Sequence, residues 1–185
     1  MYLSHRMQDS TMSGAWQWRD LITHVVREVW PCLPEGPAWI EAQVDVESRG
    51  VPDAVSHAGA IGLLQLMPGT ADDLGVKDPQ DPEQNLRGGV RYLKEQYEHL
   101  NEVPNDLERL YYALAAYNCG RAYINRALHL AQMDGATGWG RWDCGRMWLM
   151  SCDCVVAGRR PRYQETWAYV DRIQIAKAAL GRVAP

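Results

Sequence analysis

A chain of 185 residues has the length of one domain and is large enough to bury a substantial core. Its 46% hydrophobic and 23% charged content is that of a soluble globular protein, and no apolar run reaches membrane-spanning length. The net charge of −4 argues against a nucleic-acid or anionic-membrane binder, and five cysteines, an odd number, do not read as a disulfide framework.

An amphipathic segment runs over 16–30 and is ended by Pro31 and Pro34. His24, Arg27 and Glu28 interrupt its apolar residues, so it is neither a spanning helix nor the core of a signal peptide. Starting the chain at Met7 or Met12 creates no such signal either. A second helix is expected from about Ala38 until Gly50 and Pro52 break it. Ile40, Val44 and Glu47 fall on one face of it, at i, i+4 and i+7. A carboxyl on an apolar stripe loses hydration of its charged form, so its pKa rises toward neutrality, which suits a proton donor. A buried glutamate held by a structural hydrogen bond is the competing reading, and the helix geometry alone leaves both open.

Thr70 is expected to cap a short turn that Gly75 stops, and Asp81-Pro82 to open a long helix. In that helix Leu86, Val90, Leu93, Tyr97 and Leu100 recur at alternating four and three, a core stripe. Asp106 is read as the cap of the next helix, with Leu110, Leu114 and Tyr117 on one side and Gly120 as its stop. Helices over 121–132 and 163–180 complete the set. Between 132 and 162 glycines punctuate the chain, and Trp139, Trp142 and Trp148 interleave with Arg141 and Arg146. These tryptophans suit either a platform for sugar rings or core beneath a long loop. Cys144, Cys152 and Cys154 follow His129 at spacings that fit no standard zinc pattern, so no metal is expected. No segment alternates for long, and no repeat is visible. The expectation is a mainly α protein with little or no sheet, one domain over 1–185.

Four blocks appear in order: Glu47-Ser48; Gly62-Leu63-Leu64-Gln65-Leu66-Met67-Pro68-Gly69-Thr70-Ala71; Ala116-Tyr117-Asn118-Cys119-Gly120; and Glu165-Thr166-Trp167-Ala168-Tyr169-Val170. Together they resemble the lytic transglycosylase domain of the soluble lytic murein transglycosylases, relatives of goose-type lysozyme, over 39–173. The resemblance implies a lysozyme-like helical fold that acts on peptidoglycan glycan strands without a cofactor. One glutamate, here Glu47, then protonates the oxygen between N-acetylmuramic acid and N-acetylglucosamine. The substrate's N-acetyl group stabilises the cation, and the same glutamate helps the C6 hydroxyl attack, which leaves a 1,6-anhydro end. Two-carboxylate glycoside cleavage would need a second acid. The candidates Asp45, Asp53, Asp72 and Asp73 are unpersuasive, since Asp45 points to another helix face and the others suit loops or helix starts.

The resemblance also assigns supporting roles. Ser48 follows the acid and suits orienting its carboxyl, although serine at a helix end is commonplace. Ser56 matches a serine that bonds the N-acetyl group or the acid. Gln65 and Met67 match the cleft floor, one donating to sugar and one packing under a ring. Tyr117 matches a tyrosine whose hydroxyl approaches the acid, and Asn118 an asparagine that binds substrate or backbone. Glu165 matches an orienting partner of that network, while Tyr169 is left between network and core. Leu64, Cys119 and Ala122 stand where the family usually has methionine, alanine and glycine. A hydrolytic muramidase on the same fold and a non-catalytic glycan-binding protein are the alternatives. With no export signal visible, the expected setting is phage-driven lysis: a monomer made in the cytoplasm that neither binds nucleic acid nor inserts in membranes. It would reach the periplasmic wall through a holin or from the virion.

Overall fold

The computed structural model describes residues 14–181. A 3-10 turn at Gly14–Trp18 leads into α1 (Arg19–Val29), α2 (Ala38–Ser48) and the short α3 (Pro68–Asp73). There follow α4 (Pro82–Glu98), α5 (Asp106–Cys119), α6 (Arg121–Met133), α7 (Trp142–Leu149) and α8 (Tyr163–Leu180). Strand pairing among the described residues is limited to isolated bridges: Val55 with Ile61, Ile61 with Leu66, and Val156 with Arg159. The protein is therefore mainly α, as the lack of alternating patterns predicts. No helix among the described residues is long and apolar enough to cross a membrane.

α5 is the central helix. Tyr112, Ala113, Leu114, Ala115 and Ala116 are buried in succession, which requires neighbours on every side, and α4, α6, α7 and α8 supply them. Its run of small side chains lets those neighbours approach. α2 lies along α8, and α1 lies along α4. The expected stripe of α4 is core: Leu86, Val90 and Leu93, with Leu100 just beyond the helix, have no solvent exposure.

Three local readings are corrected. Asn105, not Asp106, caps α5: its side-chain oxygen accepts from the N–H groups of Leu107 and Glu108, each at 3.0 Å. Asp106 is the first helical residue and instead accepts from the Tyr97 hydroxyl at 2.8 Å. Thr70 lies inside α3, because Pro68 already provides a preset first helical position. The 132–162 stretch is no long loop, since it contains α7. Trp142 there is core, edge-on to Tyr112 with ring centroids 5.3 Å apart. The Tyr112 hydroxyl lies 2.9 Å from the carbonyls of both Trp139 and Arg141. A side chain at Gly145 would collide with that hydroxyl, at 1.6 Å. Trp139 and Trp148 pack part-buried against the same core. All five cysteines are free thiols.

Candidate active site at the end of α2

The helix that carries Glu47 is stopped by backbone geometry: Arg49 takes φ 55° and Gly50 φ 75°, both left-handed. The Trp18 indole and the Gln17 amide each donate to the Gly50 carbonyl, at 2.8 and 3.1 Å. Gly14 approaches so closely that a Cβ there would lie 1.9 Å from the Arg49 carbonyl oxygen. Ser48 joins this end of α2 to the segment that follows, its hydroxyl donating to the Leu63 carbonyl at 2.9 Å and accepting from Gly50 N–H at 3.2 Å. Buried and bonded to backbone, Ser48 is a fastener; no bond to the Glu47 carboxyl is present.

Residues 61–66 form the floor beside Glu47. Asn85 of α4, fully buried, holds this segment from below. Its amide donates to the carbonyls of Ile61 and Pro79 at 2.9 and 2.8 Å, and its oxygen accepts from Leu64 N–H at 2.8 Å. Gly89 lets the floor settle on α4, since a Cβ there would sit 2.4 Å from Leu64 Cδ1. Gln65 has φ 47° and turns its amide back onto the carbonyls of Ala54 and Gly62, at 3.1 and 2.9 Å. It braces the loop with the two N–H bonds that a sugar would otherwise receive. Ser56 likewise closes its own turn, accepting from Ala60 N–H at 2.9 Å. Met67 is exposed at the start of α3.

Glu47 is partly exposed. The protein around it pushes its carboxyl up to about 7 by desolvation, opposed by a hydrogen bond from Tyr169 and by the charge of Arg172. The Tyr169 hydroxyl donates to Glu47 Oε1 at 2.6 Å and accepts from Gln43 Nε2 at 3.0 Å. Burial, reinforced by the adjacent carboxylate, holds the Tyr169 phenol well above its usual range, so it remains a donor.

Tyr117 does not bond to Glu47. Its hydroxyl donates to the Leu64 carbonyl at 2.7 Å, and the ring stands edge-on to Tyr92. It is still a close neighbour of the acid, for burial and then the Glu47 charge raise its pKa. Asn118 accepts from the Thr166 hydroxyl at 2.9 Å, tying α5 to α8. Glu165 faces solvent and pairs with Arg162 at 3.4 Å, away from the Glu47 network, because the adjacent Thr166 takes the inward position. Asp53, Asp72 and Asp73 are exposed, and none is bonded to Glu47.

The structure thus gathers Glu47, Tyr117 and the floor, and leaves Glu165 outside. Sequence reasoning missed Gln43 and Asn85 and left Tyr169 open. Gln43 carried a legible signal: a polar residue four before Glu47 shares its helix face. Asn85 carried little, being one polar residue near the start of a long helix. A group able to take and return one proton, held beside a braced backbone segment, suits acid–base work.

Residues 37–137, more than half of the chain, match the family model described as the Transglycosylase SLT domain. The membrane-bound lytic murein transglycosylase F of Maricaulis maris is 42% identical over 96 residues, which are 52% of this chain and 21% of that protein. Its namesake from Shewanella denitrificans is 44% identical over 85 residues, 46% of this chain and 17% of that protein. The chain thus matches about a fifth of the length of these relatives. Among solved structures, the 70 kDa soluble lytic transglycosylase of Escherichia coli aligns with a TM-score of 0.59 and 20% identity, over 87% of this chain and 23% of that one. An inactive mutant of the lytic transglycosylase Slt of Pseudomonas aeruginosa aligns at 0.58 and 22%, over 90% and 25%. At such identities the likeness is one of fold, and the family rests on the sequence match: this chain belongs to the Transglycosylase SLT domain family.

Proposed function

We propose that this protein is a lytic transglycosylase that cleaves the β-1,4 bond between N-acetylmuramic acid and N-acetylglucosamine in peptidoglycan, with Glu47 as its single acid and base. One observation carries the reading: Glu47, with its carboxyl pushed up to about 7, is held by the hydroxyl of a neutral tyrosine at 2.6 Å. Near neutral pH both protonation states are populated, as a group that first gives and then recovers a proton requires. Glu47 protonates the bridging oxygen, and the C1–O bond breaks with the electron pair leaving on that oxygen. The substrate's N-acetyl oxygen stabilises the cation. The C6 hydroxyl then bonds to C1 and gives its proton to the Glu47 carboxylate, which restores the acid without consuming water. Ser48, Gln65 and Asn85 support this role by fixing the floor, and Met67 by offering an exposed apolar contact to a sugar ring.

Mass spectrometry of fragments released from purified sacculi tests bond and chemistry together. Anhydro ends, one water lighter than reducing ends, are expected. Reducing muramic ends alone would make the protein a hydrolytic muramidase. Binding without release, undiminished in Glu47→Gln, would make it a glycan-binding protein. Glu47→Gln should lower turnover by at least about 10²–10⁴-fold in a folded protein, and turnover within tenfold of wild type rejects the assignment. The setting we propose, phage-driven lysis, rests on the sequence reading alone. Cells co-expressing this chain and a holin should lyse faster than cells with the holin alone, and equal rates reject that setting.

A further inference from the structure

Gln43 is a buried member of the Glu47 cluster to which the reaction above gives no task. It has no solvent exposure, and its carbonyl accepts no bond from any of the described residues. A buried amide left half satisfied is unfavourable, so an apolar residue would serve packing better at this point of α2. What the amide does have is a bond to Tyr169: Nε2 lies 3.0 Å from the hydroxyl whose proton is directed at Glu47 Oε1, 2.6 Å away.

A phenol carries one hydrogen. With an amide N–H occupying a lone pair of its oxygen, that hydrogen is left to the carboxylate, and the donated bond polarises the hydroxyl into a better donor. Turned over, the same amide would offer its carbonyl to the phenol hydrogen and draw it away from Glu47. We propose that Gln43 is a positioning residue that orients the Tyr169 proton toward Glu47 and thereby sets the pH at which Glu47 releases its own.

The surroundings leave few other groups to set that value. α8 faces Glu47 with Tyr169 and Arg172, and α5 faces it with Tyr117. The floor segment 61–66 has no ionisable side chain. On α2 itself Glu41 is occupied by Arg19, and Asp45, two positions from Glu47, lies on a different face of the helix.

The test is a titration of the Glu47 side-chain carboxyl by carbon NMR in glutamate-labelled protein, the signal assigned by its absence in Glu47→Gln. In Gln43→Leu the midpoint should rise by roughly half to one pH unit, the size of one lost charge-assisted hydrogen bond. The alkaline limb of the lytic pH profile should move with it. Gln43→Met, closer in shape to glutamine, gives the same readout if the leucine variant does not fold. A midpoint that stays or falls overturns the proposal, and a fall would mean that the carbonyl faces Tyr169. In a Tyr169→Phe background Gln43→Leu should shift the midpoint less than about half as far, and an undiminished shift overturns action through Tyr169. The inference rests on Glu47 as the acid only in its link to lysis. A shifted midpoint in a protein whose Glu47→Gln variant still turns over would remove the functional reading and leave the relay standing.

Discussion

On α2, Arg19 meets Glu41 with two charge-assisted hydrogen bonds of 2.9 and 3.0 Å, whereas Glu47, further along the helix, accepts from the neutral hydroxyl of Tyr169 and feels Arg172 through its charge. The difference has a thermodynamic signature. In the folded protein Glu47 binds its proton up to about pH 7, but unfolded it does so only to its ordinary 4.5. Between those values the folded state holds more protons, so stability falls as pH rises from about 4.5 through about 7. Relative to Glu47→Gln, the wild type should lose roughly 1–3 kcal/mol over that window, with solvent screening allowed for. Thermal melts of both proteins at pH 5 and pH 8 read this directly, and a pH-independent difference would show that Glu47 titrates like a surface carboxylate. Tyr117 makes a second prediction. Because its hydroxyl meets Leu64, Tyr117→Phe should cost roughly 1–2 kcal/mol by leaving that carbonyl unpaired, while the Glu47 midpoint stays near its wild-type value. A midpoint displaced as far as in Tyr169→Phe would give Tyr117 a direct bond to the acid. Sequence placed the Tyr117 ring correctly, on the apolar face with Leu110 and Leu114. It misplaced the hydroxyl, since a helix period fixes which way a side chain faces but not the acceptor at its tip.

At the scale of elements, legibility followed periodicity. α4 and α8 announced themselves, one by its stripe and the other by a long run without glycine or proline. α7 did not, because Gly145 lowers its intrinsic helix preference and the helix owes its place to packing on Tyr112. The α5 cap was misread by one residue because Asn105 and Asp106 are both good cap formers and only the side-chain bonds choose between them. The contact between α4 and the floor gives a prediction of its own. Gly89→Ala should destabilise by roughly 1–3 kcal/mol, because its Cβ meets Leu64 on a backbone that Asn85 has already anchored. Denaturant unfolding measures it, and a neutral result would mean that the floor can lift from α4 without penalty. Activity should fall with the same change, since the segment carrying Gln65 is displaced.

For the molecule as a whole, the candidate site is non-local: Tyr169 lies 122 positions from Glu47 and 126 from Gln43. α2 contributes the acid, α5 the neighbouring ring and α8 the donor, so the site exists only once α8 has docked. A chain halted after residue 160 should lack the Tyr169 bond, and its Glu47 carboxyl should depart from the wild-type midpoint; an unchanged midpoint would locate the cause within α2 and the floor. The bond between α2 and α8 also bears on the order in which the cluster is made during synthesis. On a ribosome Glu47 emerges 122 residues before Tyr169, so over that whole interval the nascent chain carries the carboxyl without its partner. The Glu47–Tyr169 bond is thus a late event of synthesis, available only after α8 has been made and has docked.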